Sequence, residues 1–143
     1  MTMTDAAAGR PTTPTLGAIT HVALTVRDLD VSVPFYRELV GADPVLDEDT
    51  GPFRHVVFAM GDTLLGLHVF PEGIEDVAHT PRRRGLDHVS FGCADRSELV
   101  AWERRLDEIG IEHGGIVDAH YGSGLSFKDP DGLPLELFCP PSA

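Results

Sequence analysis

The chain repeats itself once, and that repeat limits the folds open to it. ITHVALTVRD at 19–28 is matched by LDHVSFGCAD at 86–95, an offset of 67 residues that sets His21 on His88, Val22 on Val89 and Asp28 on Asp95. FYRELVG then matches WERRLDEIG, with Phe35 on Trp102, Arg37 on Arg104 and Leu39 on Leu106; Gly41 and Gly110 follow, the second half carrying two extra residues. Further on, HVVFAMGDTLLGLHVF corresponds to GLSFKDPDGLPLELFCP, which pairs Phe58 with Phe127, Leu65 with Leu135 and Leu67 with Leu137. So long a period does not build a solenoid. It describes one half-domain written twice, in a chain of 143 residues that suffices for one compact domain with a core.

Each half follows one local plan. In THVALTV the apolar Val22, Leu24 and Val26 alternate with His21, Ala23 and Thr25; in HVSFGC the apolar Val89, Phe91 and Cys93 alternate with His88, Ser90 and Gly92. Period-two alternation is the pattern of a half-buried strand. A helix is expected after each. Asp95 and Glu98 have capping-box spacing, Leu99, Trp102, Leu106 and Ile109 recur at helical intervals, and Gly110 suits the C′ position. In the first half Asp30 is the expected N-cap, Pro34 falls in or beside the first turn, and Gly41 closes the helix. Further strands are expected near 53–60, 64–70, 122–128 and 133–138. Residues 1–17, rich in Thr, Ala, Gly and Pro, read as a loose tail, and 18–143 as a single α+β domain. Module one covers about 18–70, a polar connector 71–85, and module two about 86–140.

The charge excludes some partners. Eleven Lys and Arg against 23 Asp and Glu leave a net charge of −12. Nucleic acid is not an expected partner, because phosphate binding needs a basic surface, and neither is an anionic membrane. No apolar run approaches the roughly 20 residues that span a bilayer. The N-terminal residues lack the hydrophobic stretch of a secretory signal. Cys93 and Cys139 form neither a disulfide framework nor a CxxC pair, so free thiols in a cytoplasmic protein are expected.

The face opposite the apolar one carries the chemistry. Beside each histidine it holds only small residues, which leaves volume that a packing face would fill. A curved sheet around a cavity is therefore expected. In LPLELF, Leu135 and Leu137 share the helix-facing side, while Pro134, Glu136 and Phe138 look into that cavity. A carboxylate among apolar neighbours is costly unless it is paired or metal-bound. His21 and His88, the same position read twice, supply the partners. Two neutral imidazoles and one carboxylate with open positions make the pattern of a catalytic metal.

On these residues the chain resembles the vicinal oxygen chelate superfamily, which includes glyoxalase I, methylmalonyl-CoA epimerase, fosfomycin-resistance thiol transferases, bleomycin-binding proteins and extradiol dioxygenases. The resemblance runs over about 19–141 and rests on ITHVALTVRDLDVSVPFYRELVG, LDHVSFGC and FKDPDGLPLELF. It implies two tandem βαβββ modules, a small-molecule substrate chelated through two oxygens, and a homodimer. His21 and His88 match the first ligand position of each module and Glu136 the last of the second. The equivalent position in module one is Gly66, where the family's isomerases and epimerases carry Glu or Gln. The resemblance therefore points to a lyase or transferase, nearer the fosfomycin-resistance enzymes. Three protein ligands and a bidentate substrate suit octahedral Mn²⁺, Fe²⁺ or Ni²⁺ better than tetrahedral Zn²⁺. The ring-cleaving branch fits less well: Ser126 stands three residues before Asp129, where that branch has Tyr, and His120 is one residue too close to Leu125. The bleomycin-binding branch supplies the alternative of a metal-free protein that sequesters an antibiotic or natural product.

Other residues are secondary candidates. His68, two after Gly66 on the same strand face, is a general base, a substrate donor or a displaced fourth ligand. Tyr121, in the stretch DAHYGSG, is a second proton-moving candidate on a flexible cover. His55 faces the cavity from a neighbouring strand; His79 and His113 read as surface or loop residues; His120 is left open. Arg82, Arg83 and Arg84 read as a solvated connector and Cys139 as structural.

Overall fold

The computed structural model describes residues 13–142. Most of the expected tail lies outside them, and residues 13–17 are exposed and without regular structure. Module one runs β1 (His21–Thr25), α1 (Leu29–Val40), β2 (Leu46–Asp49), β3 (Arg54–Met60) and β4 (Thr63–Val69). Module two repeats it with β5 (Val89–Gly92), α2 (Arg96–Glu108), β6 (His113–Ala119), β7 (Gly122–Lys128) and β8 (Pro134–Cys139). This is the tandem βαβββ plan. The strands lie in two four-stranded mixed sheets, ordered β1-β4-β3-β2 and β5-β8-β7-β6, rather than in one continuous sheet. In each, the first and last strands of the module are parallel and the other pairs antiparallel. The sequence repeat survives as a pairing repeat: Phe58 stands opposite Leu65 as Phe127 stands opposite Leu135, and Val56 opposite Leu67 as Leu125 opposite Leu137.

The helices start and stop where backbone chemistry dictates, with one correction. Asp95 caps α2, its carboxylate accepting from the Glu98 N–H at 2.9 Å, and Gly110 takes the left-handed φ of 75° that ends it. In module one the cap is Asp28, not Asp30. Asp28 is extended and accepts from the Asp30 N–H, so α1 begins earlier and Pro34 lies past the first turn. The Asp30 carbonyl thereby loses its usual i+4 donor, at an exposed site where water can replace it.

Strands β2 and β6 carry no alternation and were not expected from the residues. The first is the wholly exposed acidic run LDED on a sheet edge; the second holds two glycines and a register shift between His113 and Ile116. His113 thus opens a strand, half-buried and 2.7 Å from Asp107, instead of sitting in a loop. His79 is likewise half-buried, its Nε2 bonded to the Leu86 carbonyl. The stretch around Tyr121 is a tight hairpin, not a flexible cover, since Ala119 pairs with Gly122 across a two-residue turn.

One hydrophobic core serves both modules. It joins Leu24, Tyr36, Phe58 and Leu65 to Leu99, Leu106, Leu125 and Leu135. Its polar centre is Tyr36, whose buried hydroxyl donates to Asp129 Oδ2 at 2.8 Å across the module boundary. Burial, then the neighbouring Asp129, hold that phenol protonated far above its usual range. Asp129 Oδ1 accepts from the N–H groups of Asp131 and Leu133, and Asp131 reaches back to the Arg27 N–H. Arg105 of α2 pairs with Glu38 of α1 at 2.7 Å.

Two predictions follow from this packing. Tyr36→Phe leaves a buried carboxylate oxygen without its donor and should lower unfolding free energy by about 1–3 kcal/mol in a denaturant titration. Asp118, bonded to Arg96 and Ser123, is held at about 2. A depressed carboxylate stabilises above its unfolded value and loses that contribution as pH falls through its folded value. The urea-midpoint difference between wild type and Asp118→Asn should therefore be full above about pH 4 and close toward pH 2.

Candidate metal centre

The parallel pairing of β5 with β8 sets Ser90 opposite Glu136. Strand alternation sends Leu135, Leu137 and Cys139 into the core and leaves Glu136 and Phe138 half-buried on the other face. The Ser90 hydroxyl donates to Glu136 Oε1 at 2.9 Å, and the same oxygen lies 3.8 Å from His88 Nε2. Gly124 makes the space: a Cβ there would stand 2.9 Å from Glu136 Oε2. Asp87 Oδ1 lies 2.8 Å from His88 Nδ1. A carboxylate only accepts, so Nδ1 donates; in the neutral ring this turns the Nε2 lone pair toward Glu136, the tautomer a metal ligand needs. Module one repeats the device, with Thr20 Oγ1 at 3.0 Å from His21 Nδ1.

His21 does not join this pair. It lies on β1 of the other sheet, exposed, opposite Leu64. Among the described residues no group of three or more His, Cys, Asp or Glu side chains could hold a metal ion. Within one chain His21 and the His88–Glu136 pair therefore lie on separate faces. The reason is the shared core: both modules turn their apolar faces inward to it, so both donor faces look outward.

The module-one face has a different character. Ala23 stands opposite Gly66 as Ser90 stands opposite Glu136, so Gly66 is the structural counterpart of Glu136. His55 stands opposite His68, which in turn stands opposite Thr25, placing all three on the His21 face. Phe53 stacks on His68 with ring centroids 4.8 Å apart and planes 12° apart, and the His55 ring meets His68 edge-on at 5.2 Å. Burial first, then His55 and His21 nearby, lower the His68 pKa, so the ring is neutral at physiological pH.

The remaining candidates separate by burial. Tyr121 is 64% exposed, its ring stacked 6.3 Å from Phe138 on the Glu136 face, with His120 beside it. Cys139 is buried in the core, as is Cys93, whose thiol is pushed up to about 11 chiefly by burial. Neither suits a thiolate nucleophile's microenvironment. Arg82, Arg83 and Arg84 are exposed in the connector. Sequence reading missed Thr20, Asp87, Ser90 and Gly124. Thr20 and Asp87 could have been found, because they are related by the same 67-residue offset as the histidines they touch.

A family model described as the Glyoxalase/Bleomycin resistance protein/Dioxygenase superfamily matches residues 18–137. Glyoxylase I 4 of Arabidopsis thaliana is 30% identical over 85% of this chain and 70% of its own length. The metallothiol transferase FosB of Staphylococcus saprophyticus is 26% identical over 84% of this chain and 75% of its own. A shorter match, 36% identical over 40% of this chain, is to MhqA of Bacillus subtilis, named as a ring-cleaving dioxygenase; it spans only 19% of that protein. Among solved structures, a glyoxylase/bleomycin resistance protein/dioxygenase domain from Frankia sp. EAN1pec superposes with a TM-score of 0.76 at 29% identity, covering 89% of this chain and all of that one.

Gly124→Ala tests the seat of Glu136. The added methyl must displace the carboxylate, so divalent-metal affinity measured calorimetrically should fall at least about tenfold while the thermal midpoint changes little.

Proposed function

The chain belongs to the glyoxalase, bleomycin resistance protein and dioxygenase superfamily, and on that premise we propose that it is a divalent-metal-dependent enzyme acting on a small molecule, a lyase or transferase rather than an isomerase. The observation that carries this reading is the His88–Glu136 pair, with Asp87 fixing the tautomer and His21 waiting at the equivalent position of the other module. The donor chemistry fits a divalent ion held by His21, His88 and Glu136. Such an ion supplies Lewis acidity to two neighbouring substrate oxygens. Three protein donors leave three positions of an octahedral ion, which favours Mn²⁺, Fe²⁺ or Ni²⁺ over Zn²⁺.

The protein's own groups supply the rest. Thr20 and Asp87 orient the imidazoles, and Ser90 holds the carboxylate. His68, neutral on the His21 face, can accept a proton; Tyr121 can donate one from the Glu136 face. With Gly66 in place of a fourth ligand, the chain lacks the Glu or Gln on which isomerase chemistry in the family relies.

Completion of the site requires a second copy. A homodimer that lays the His21 face of one chain against the His88–Glu136 face of the other assembles three donors twice about a twofold axis. It also covers Leu46, Leu64, Val117 and Tyr121, which are 40% to 65% exposed on those faces. The competing reading, a metal-free protein that sequesters a planar natural product, draws on the Phe53 and Phe70 rings around His68.

Metal analysis decides between them. Protein purified without chelator and reloaded should hold about one ion per chain, and His21→Ala, His88→Ala and Glu136→Gln should each lose it. No stoichiometric uptake by the wild type would sink the enzyme reading. Tight binding of a planar antibiotic without turnover, indifferent to Glu136→Gln, would establish the other. Co-expression of His21→Ala with Glu136→Gln tests the dimer: random pairing rebuilds about a quarter of the sites if they span two chains, and none if each closes within one.

A further inference from the structure

We propose that His68 is a fourth protein donor to the metal, occupying the place that module one leaves empty of a carboxylate at Gly66. The inference rests on the metal-dependent reading above. Its starting point is the register. Gly66 faces Ala23 on β1 as Glu136 faces Ser90 on β5, so a carboxylate at 66 would relate to His21 as Glu136 relates to His88. The place is filled. A Cβ built on Gly66 would find His68 Nε2 at 3.4 Å and His68 Cδ2 at 3.6 Å, and Gly66 is buried beneath them. Nε2 thus sits at roughly the reach of a glutamate oxygen from its own Cβ.

The ring also leans the right way. His68 pairs with Thr25, and Gly66 with Ala23, one step nearer the row that holds His21. An imidazole over Gly66 is therefore directed along the strand toward His21. Phe53, stacked on one face, and His55, edge-on, hold the ring against swinging away. Glycine at 66 and histidine at 68 form one device, because any longer side chain at 66 would drive the imidazole out. The protein donors become His21 and His68 from one module and His88 and Glu136 from the other. Two positions then remain on an octahedral ion for the two oxygens of the substrate, and proton movement falls to Tyr121.

Cu²⁺ bound to the purified protein gives the test, since nitrogen hyperfine structure in its electron paramagnetic resonance spectrum counts the imidazoles. Wild type should show three. His68→Ala and His68→Gln should show two, with Cu²⁺ and Mn²⁺ affinities at least about tenfold weaker and thermal midpoints near that of the wild type. The double variant Gly66→Glu/His68→Ala should recover the affinity with two nitrogens. Three nitrogens and unchanged affinity in both single variants would overturn the assignment while leaving the His21, His88 and Glu136 reading intact. Absence of any stoichiometric ion in the wild type would overturn both.

Discussion

The buried hydrogen bond from Tyr36 to Asp129 is the contact on which the rest of this molecule depends. No strand of one module pairs with a strand of the other, so the halves are held by contacts that involve side chains, the Arg27 N–H on Asp131 among them. A carboxylate is expensive to bury, and Asp129 is tolerable in the core only because the Tyr36 hydroxyl and two backbone N–H groups satisfy it. The same residue shapes the turn that launches β8. Glu136 follows two residues after that strand begins, so the lock between the modules also sets which face the carboxylate takes.

That lock has a geometric consequence. Each sheet has one apolar face, and the shared core consumes both. The donor faces are left open to solvent, with apolar side chains such as Leu64 and Val117 standing beside the histidine and the glutamate. Burying that apolar surface and completing the coordination sphere proposed above would call for the same act, the arrival of a second chain on each open face.

The duplicated halves have diverged in a complementary way. Module two keeps small residues around its carboxylate: Ser90 as a hydrogen-bond donor, Gly124 as empty volume, Ser126 opposite. Module one has a glycine at the place of that carboxylate and crowds the neighbouring row with Phe53, His55, His68 and Phe70. One half offers a carboxylate set among hydrogen-bonding groups and the other an aromatic surface rich in imidazole nitrogens. In the proposed dimer a substrate gripped between them would meet a polar wall and a planar wall, which is a basis for orientation as well as for binding.

Some of this was legible in the chain itself. Alternation in THVALTV, HVSFGC and LPLELF determined three strands and which residues share a face, because the period of two is a property of the extended backbone. The 67-residue offset made His21 and His88 one position, and the spacing of Asp95 and Glu98 began α2. Where pattern failed, physics explains it: LDED and HGGIVDA pair at sheet edges through backbone groups and need no apolar face, and Asp28 outcompeted Asp30 as a cap because its backbone is extended. Face and phase are local and can be read from one strand. Only the tertiary structure decided that the two donor faces turn outward, that His88 meets Glu136 while His21 does not, and that the His68 ring lies over Gly66. Those depend on which faces share a core and how a side chain leans, and both are settled by contacts between residues far apart in the chain.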